Sequence, residues 1–283
     1  MSTLRGKLYI VATPLGHLDD MSFRAIKTLQ SVDFIAAEDT RHSAKLLTHY
    51  QISTPMISLH DYNEQERHEK IITLIQSGHS VALISDAGTP LISDPGYRLV
   101  HAAKKLAIDA IPIPGPCAAI AALSVSGLPT DCFIFEGFLS AKSSARLAQL
   151  NVLKHETRTM IFYESPHRIL ACLDDMQTIF GQDREVVVAR ELTKFFETIY
   201  SDSVENILKK LRQNPSEQQG EFVVLVKGAV IEARVMDEET TRVLNCLLAE
   251  LPIKQAVKLT AEISKKSKNL LYDLALILQK APK

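Results

Sequence analysis

The chain has 283 residues, of which 46% are hydrophobic and 23% charged, and its 32 basic and 33 acidic side chains leave a net charge of −1. That length fits about two domains rather than one small core, and the charge balance excludes a general polyanion binder, so any nucleic-acid surface has to be local. No run approaches the roughly 20 apolar residues of a membrane helix and the short polar start lacks the apolar core of a secretion signal, so a soluble, cytoplasmic protein is expected.

The first half alternates strand-like and helix-like segments. Residues 7–13 (KLYIVAT) form a β-rich run ended by Pro14 and Gly16, and 22–29 has helical spacing through Phe23, Ile26 and Leu29. Strands are predicted at 34–37, 56–59, 81–84 and 110–113. Helices are predicted at 44–49, at 63–76 with Asn63 as cap and Gly78 as stop, and at 97–106. Short connections make a parallel sheet with crossover helices the economical arrangement. In the second half, strands are predicted at 132–136, 159–163, 186–189, 198–200 and 222–226, with a helix start at 140–144 and helices at 167–180 and 204–211. The close spacing of the strands around Arg190 and Tyr200 predicts a mixed sheet there. After Gly228 the pattern is wholly helical, at 238–250, 254–263 and 269–279, with Pro252 breaking the first helix. The fold class is therefore α/β with a small C-terminal three-helix domain.

Ligands of open α/β sheets bind beyond the carboxyl ends of strands. Three such junctions are rich in Gly and Pro: ATPLGHL at 12–18, SDAGTPLISDPG at 85–96 and IPGPCAA at 113–119. Small residues let a backbone approach a ligand closely and present its N–H and C=O groups, enough to read an adenine edge and a ribose. Any one of these loops could be a plain turn; three in one half, each after a predicted strand, point to a ligand site. No dinucleotide fingerprint, Walker-type phosphate loop, nucleophile elbow or zincin helix is present. Cys117, Cys132, Cys172 and Cys246 form no CxxC pair and no Cys/His cluster. Reduced, mostly buried thiols and no metal site are expected.

These loops, with AEDTR at 37–41, PIPGPCAAIAALSVSGLP at 112–129, FEGFL at 135–139, FYESPHRI at 162–169, ARELTKFFET at 189–198 and GEFVVLV at 220–226, resemble the tetrapyrrole-methylase superfamily over essentially the whole chain. Within it they resemble the bacterial small-subunit (16S) ribosomal RNA (cytidine-2′-O)-methyltransferases, and the tail is similar to that subfamily's helix-turn-helix-like domain. The resemblance implies two α/β domains, 1–116 and 117–230, with S-adenosylmethionine in the cleft between them, a helical tail at 237–283, and a homodimer. It carries the cofactor site onto Leu15, onto Asp86, Ala87, Gly88 and Leu91, onto Cys117 and Ala118, and onto Tyr163, Glu164 and Leu192. The first loop reads ATPLG and the second SDAGTP, where tetrapyrrole-acting members have GxGPGD-type and GGDP sequences; this disfavours a porphyrinoid substrate.

The remaining polar residues admit two readings each. Glu38, Asp39 and Arg41 fit either a helix N-cap with a local ion pair or a charged cluster facing the cleft, with Arg41 on a phosphate or ribose. His60 and Asn63 fit a surface loop, or, on the resemblance, the substrate side. Glu164, His167 and Arg168 fit ordinary capping around Pro166, or the mouth of the cleft. Arg190, Glu191 and Lys194 fit a structural ion pair as well as a functional role. A ribose 2′-hydroxyl attacking an activated methyl needs in-line orientation, helped by a general base; Glu38, Asp39, His60 and Glu164 are the candidates. Between 254 and 283 the tail has seven lysines, among them Lys265, Lys266 and Lys268, against Glu262 and Asp273. That is either a solvated face or a phosphate-binding patch for 16S rRNA in the small ribosomal subunit. Two alternatives stay open: methylation of a tetrapyrrole or modified protein by another superfamily member, and a non-catalytic ribosome-assembly factor that binds RNA.

Overall fold

The structure, a computed structural model, describes residues 6–60, 64–230 and 238–280. Packing groups Met1–Ala229 into one unit and Val230–Lys283 into a second.

The first unit opens with β1 (Leu8–Val11), α1 (Phe23–Ser31), β2 (Phe34–Ala37), α2 (Thr40–His49), β3 (Met56–Ser58), α3 (Glu64–Gln76), β4 (Val81–Ile84), α4 (Tyr97–Lys105) and β5 (Ala110–Ile113). The strands form one sheet in the order β3-β2-β4-β1-β5, with every pair parallel. Both faces are covered. Ala25, Leu29 and Leu47 pack on one side, and Ile71, Ile75, Leu99 and Ala103 on the other. Each fully buried Leu or Ile contributes about 1.5–3 kcal/mol. Burial on both faces makes β4 (VALI) an unbroken apolar run rather than an alternating one. Because the strands are parallel, all five carboxyl ends open on one edge.

A second sheet follows, built from β6 (Phe133–Phe138), β7 (Thr159–Glu164), β8 (Glu185–Arg190), β9 (Thr198–Ser203) and β10 (Phe222–Val226), in the order β6-β7-β10-β8-β9. Only the β6–β7 pair is parallel, so the sheet is mixed. α5 (Ala118–Val125) packs Ala119, Ala122 and Leu123 on one face. α6 (Ser143–Val152), α7 (Ile169–Phe180) and α8 (Val204–Gln213) cover the other. β10 alternates between the two cores, Phe222, Val224 and Val226 toward the three helices, Val223 and Leu225 toward α5.

Several boundaries differ from the sequence reading. That reading has no element at α5, because AAIAALSV is apolar on every side and shows no amphipathic period. α2 starts at Thr40, four residues early, since Asp39 caps it with its carboxylate on the Arg41 and His42 N–H groups. β6 runs on to Phe138 through a bulge between Phe135 and Gly137. The expected burial of the thiols fails for three of the four. Only Cys172 is buried, Cys117 is intermediate, and Cys132 and Cys246 are exposed.

The second unit consists of α9 (Glu238–Glu250), α10 (Ile253–Ser264) and α11 (Lys268–Lys280), closed on Leu244, Ala256, Val257, Leu271, Leu274 and Ala275. α10 ends at Lys265, whose φ of 56° is left-handed. No described helix is long and apolar enough to cross a membrane.

Candidate active site

Hydrogen bonds tie the strand-end loops together. Thr13 and Gly88 exchange N–H to C=O bonds of 2.8 and 3.0 Å, joining the loop after β1 to the loop after β4. The Thr13 hydroxyl donates to the Ser85 carbonyl at 3.2 Å, and the Thr89 hydroxyl to the Pro116 carbonyl at 2.8 Å, which brings in the loop after β5. The Asp39 N–H donates to Asp86 Oδ1 at 3.1 Å, adding the end of β2. Gly88 carries φ +84°, and a Cβ there would sit 3.2 Å from the Leu15 side chain. The chain therefore turns here without a side chain and leaves Leu15 its place.

Facing these loops are the ends of β7 and β10 and the turn after β8. Between them lies a cavity of about 330 Å³, within the roughly 300–1,000 Å³ of small-molecule sites. Its wall includes Leu15, Asp86, Ala87, Gly88, Cys117, Ala118, Tyr163, Glu164 and Leu192. Leu91, also expected at the site from sequence, is not on that wall. Its φ of 73° accompanies packing on the core around Leu83, and it lies under Gly96, where a Cβ would stand 3.3 Å from it. Thr89, Asp94, Phe138, Ser165 and Glu221 also line the cavity and were missed. All five sit inside or beside the quoted motifs, yet which side chain turns inward is a matter of backbone geometry that spacing does not report.

Of the candidate bases, Glu38 and Glu164 reach the wall, while Asp39 and His60 do not. Asp39 is turned to its helix. The Arg41 N–H first, joined by the His42 N–H and the Arg41 side chain, outweighs desolvation and holds its carboxyl below the usual range. His60 follows β3, the edge strand farthest from β1. Glu164 has a fully buried side chain. Its oxygens accept from the Ser165 N–H at 2.8 Å and from Arg168 at 3.1 Å. Burial, reinforced by the Glu164 charge, pushes the neighbouring Cys172 thiol up and keeps it protonated. Tyr163 is likewise held as a neutral phenol, by burial first and by Cys117 second; its oxygen accepts from the Ala119 N–H at 3.1 Å.

The residues expected to meet RNA fall in different places. Arg41 is almost fully exposed beside Asp39 at 3.5 Å, and His167 is exposed. Arg168 is engaged by Glu164 and the Leu139 carbonyl. Asn63 lies outside the described residues. Lys265 and Lys266 are exposed in the connection between α10 and α11, and Lys268 is exposed at the first position of α11. Arg190 and Glu191 do not pair as ions. Buried Arg190 donates to the carbonyls of Gln219, Phe196 and Ser216, whereas Glu191 takes Lys194 at 2.9 Å.

Five acidic residues line the cavity, Glu38, Asp86, Asp94, Glu164 and Glu221, and among the described residues no lysine or arginine does; the carboxylate of Glu164 is held by Arg168 and that of Glu221 by Lys194. Such a wall suits a cationic or neutral ligand and repels a phosphate. The profile of the Tetrapyrrole (Corrin/Porphyrin) Methylases matches residues 7–208. The chain belongs to this family. Residues 235–279 of this tetrapyrrole-methylase family member match a second profile, the RsmI C-terminal HTH domain. A relative from Pseudomonas aeruginosa, named ribosomal RNA small subunit methyltransferase I, is 52% identical over 96% of this chain and 97% of its own. One of the same name from Escherichia coli O157:H7 is 48% identical over 96% and 95%. The structure of a cobalt precorrin-4 methyltransferase shares the fold at 18% identity and a TM-score of 0.58, covering 78% of this chain and 94% of that one.

Proposed function

We propose that this chain is an S-adenosylmethionine-dependent methyltransferase that methylates the ribose 2′-hydroxyl of a cytidine in the decoding region of 16S rRNA. One observation carries the reading: a nucleoside-sized cavity with acidic and no basic residues on its described wall, in a chain matched over nearly its full length by relatives named for small-subunit rRNA methylation. The donor set fits the cofactor. Backbone groups of residues 86–89 and 117–118 suit an adenine and ribose, and the carboxylates suit a sulfonium and an ammonium. When bound, S-adenosylmethionine supplies a methyl on a good leaving group, so no further activation of that carbon is required.

The chain's own residues then have three tasks. The loops after β1, β4 and β5 bind and orient. The apolar side chains of Leu15, Phe138 and Leu192 exclude water. Glu38, on the cavity wall, takes the proton from the 2′-hydroxyl. The exposed lysines between α10 and α11 hold RNA phosphates. Two copies pair, the protein works in the cytoplasm, and residues 1–116 and 117–230 act as the two halves of the cleft.

The test is to incubate the protein with methyl-labelled donor and unmodified small subunits, then digest the RNA to nucleosides. Label on cytidine ribose is expected. Label on the base overturns the 2′-hydroxyl assignment, and unlabelled RNA overturns the function.

A further inference from the structure

Two adjacent phenylalanines stand out of the protein surface. Phe195 is 95% exposed and Phe196 63%, and their rings meet edge to face with centroids 5.0 Å apart. The turn that carries them is braced. Glu191 and Thr193 hold left-handed φ angles of 50° and 64°. The Lys194 N–H donates to the Glu191 carbonyl and the Glu197 N–H to that of Lys194, both at 3.0 Å. The Thr193 N–H donates to Glu197 Oε2 at 2.6 Å, and buried Arg190 holds the Phe196 carbonyl at 3.2 Å.

The same turn is clamped against the cavity. Lys194 pairs with Glu191 at 2.9 Å and with Glu221 at 3.0 Å; Leu192 and Glu221 are both on the cavity wall. The His17 N–H donates to Thr193 Oγ1 at 3.2 Å. Gly16 lies so close that a Cβ there would stand 2.3 Å from Lys194 Cγ. The backbone that carries the two rings is thus braced, three and four residues along the chain from a lining residue.

We propose that Phe195 and Phe196 form a stacking platform for the RNA base next to the nucleotide that enters the cavity. The proposal rests on the functional reading above and adds positioning residues to it. A nucleotide that enters a cavity of this size has left its stack, so its neighbour loses a stacking face. An exposed aromatic restores one and accepts any base. The described residues of the cavity wall offer no basic group to a phosphate, so the grip on the strand has to come from outside it. An aromatic pair on a braced turn beside the wall supplies that grip.

Initial rates at saturating donor, measured against small-subunit concentration, test this for the parent, Phe195→Ala, Phe195→Leu and Phe195→Tyr, each also examined by sedimentation. The Ala and Leu variants are expected to raise KM about tenfold with kcat within about twofold, and Tyr to restore the parental KM. The proposal is overturned if Leu restores KM as well as Tyr does, since apolar cover would then suffice. It is also overturned if Phe195→Ala keeps the parental KM, whether or not it sediments as a smaller species; a smaller species would assign the rings to a contact between copies. An active parent with those outcomes leaves the functional reading standing, whereas a parent that transfers no methyl to RNA removes reading and platform together.

Discussion

Gly88 joins backbone conformation to ligand access more directly than any other residue of the cavity. With φ at +84°, an alanine there costs about 1–2 kcal/mol in backbone strain, and its methyl meets Leu15. Gly88→Ala is expected to lower Tm by several degrees and to weaken S-adenosylmethionine binding at least tenfold, read by calorimetry on the folded variant. Parental affinity in a folded Gly88→Ala protein would put the cofactor elsewhere. The loop's small residues were legible in the sequence because turn chemistry is local. The orientation of Leu91 was not, since its left-handed φ sends the side chain to the Leu83 core and nothing in LISDPG distinguishes it from Ile92, which faces the cavity. The same limit applied to Glu221, whose place on the wall follows from β10 pairing with β7 and β8.

Among the elements, the strands buried on both faces were the most readable. β2, β4 and β10 have the predicted bounds because an unbroken apolar run between turn residues admits little else; the edge strand β5, with only Ile113 buried, has them too. α5 escaped for the related reason that an apolar helix has no polar side to set its period. α10 has an end that can be improved. Lys265 occupies a left-handed position favoured by glycine, and Lys265→Gly is expected to stabilise the second unit by about 1 kcal/mol, strain relief outweighing the added freedom of the unfolded chain. Differential scanning calorimetry would read this as a higher transition temperature; the same substitution removes a lysine proposed to hold RNA and should weaken RNA binding as stability rises. Ahead of β7, the Arg158 side chain, with backbone N–H groups adding to it, holds Glu156 down at about 2. The carboxylate is the stabilising form, so its contribution is complete above the ordinary value of 4.5 and fades as pH falls toward 2. Arg158→Ala should therefore be less stable than the parent at pH 6 and indistinguishable from it near pH 2, by urea melts.

On the scale of the whole molecule, the chain packs as two units. Every described residue on the cavity wall lies between Leu15 and Val223, and the exposed lysine cluster lies in the second unit. Removing residues 237–283 is expected to leave donor affinity unchanged and to weaken RNA binding. The salt dependence of that binding should become shallower, by about 0.7 in log–log slope for each single-strand phosphate that the tail neutralises in the intact protein. Equal losses of donor and RNA affinity would make the tail part of the core. The helical tail was legible because the pattern changes character after Gly228, whereas the grouping of both sheets into one unit follows from packing that no local pattern records.

The acidic wall also bears on turnover. Transfer of the methyl turns a sulfonium into a neutral thioether, so the ligand loses a positive charge at the moment the reaction is complete. Acidic residues on the wall favour a cationic donor over the neutral product, so the spent cofactor is expected to bind more weakly than the donor. Because the preference is coulombic, it weakens with ionic strength. The ratio of product to donor Kd should fall toward one as salt is raised, and a ratio independent of salt would mean that shape, not charge, empties the site.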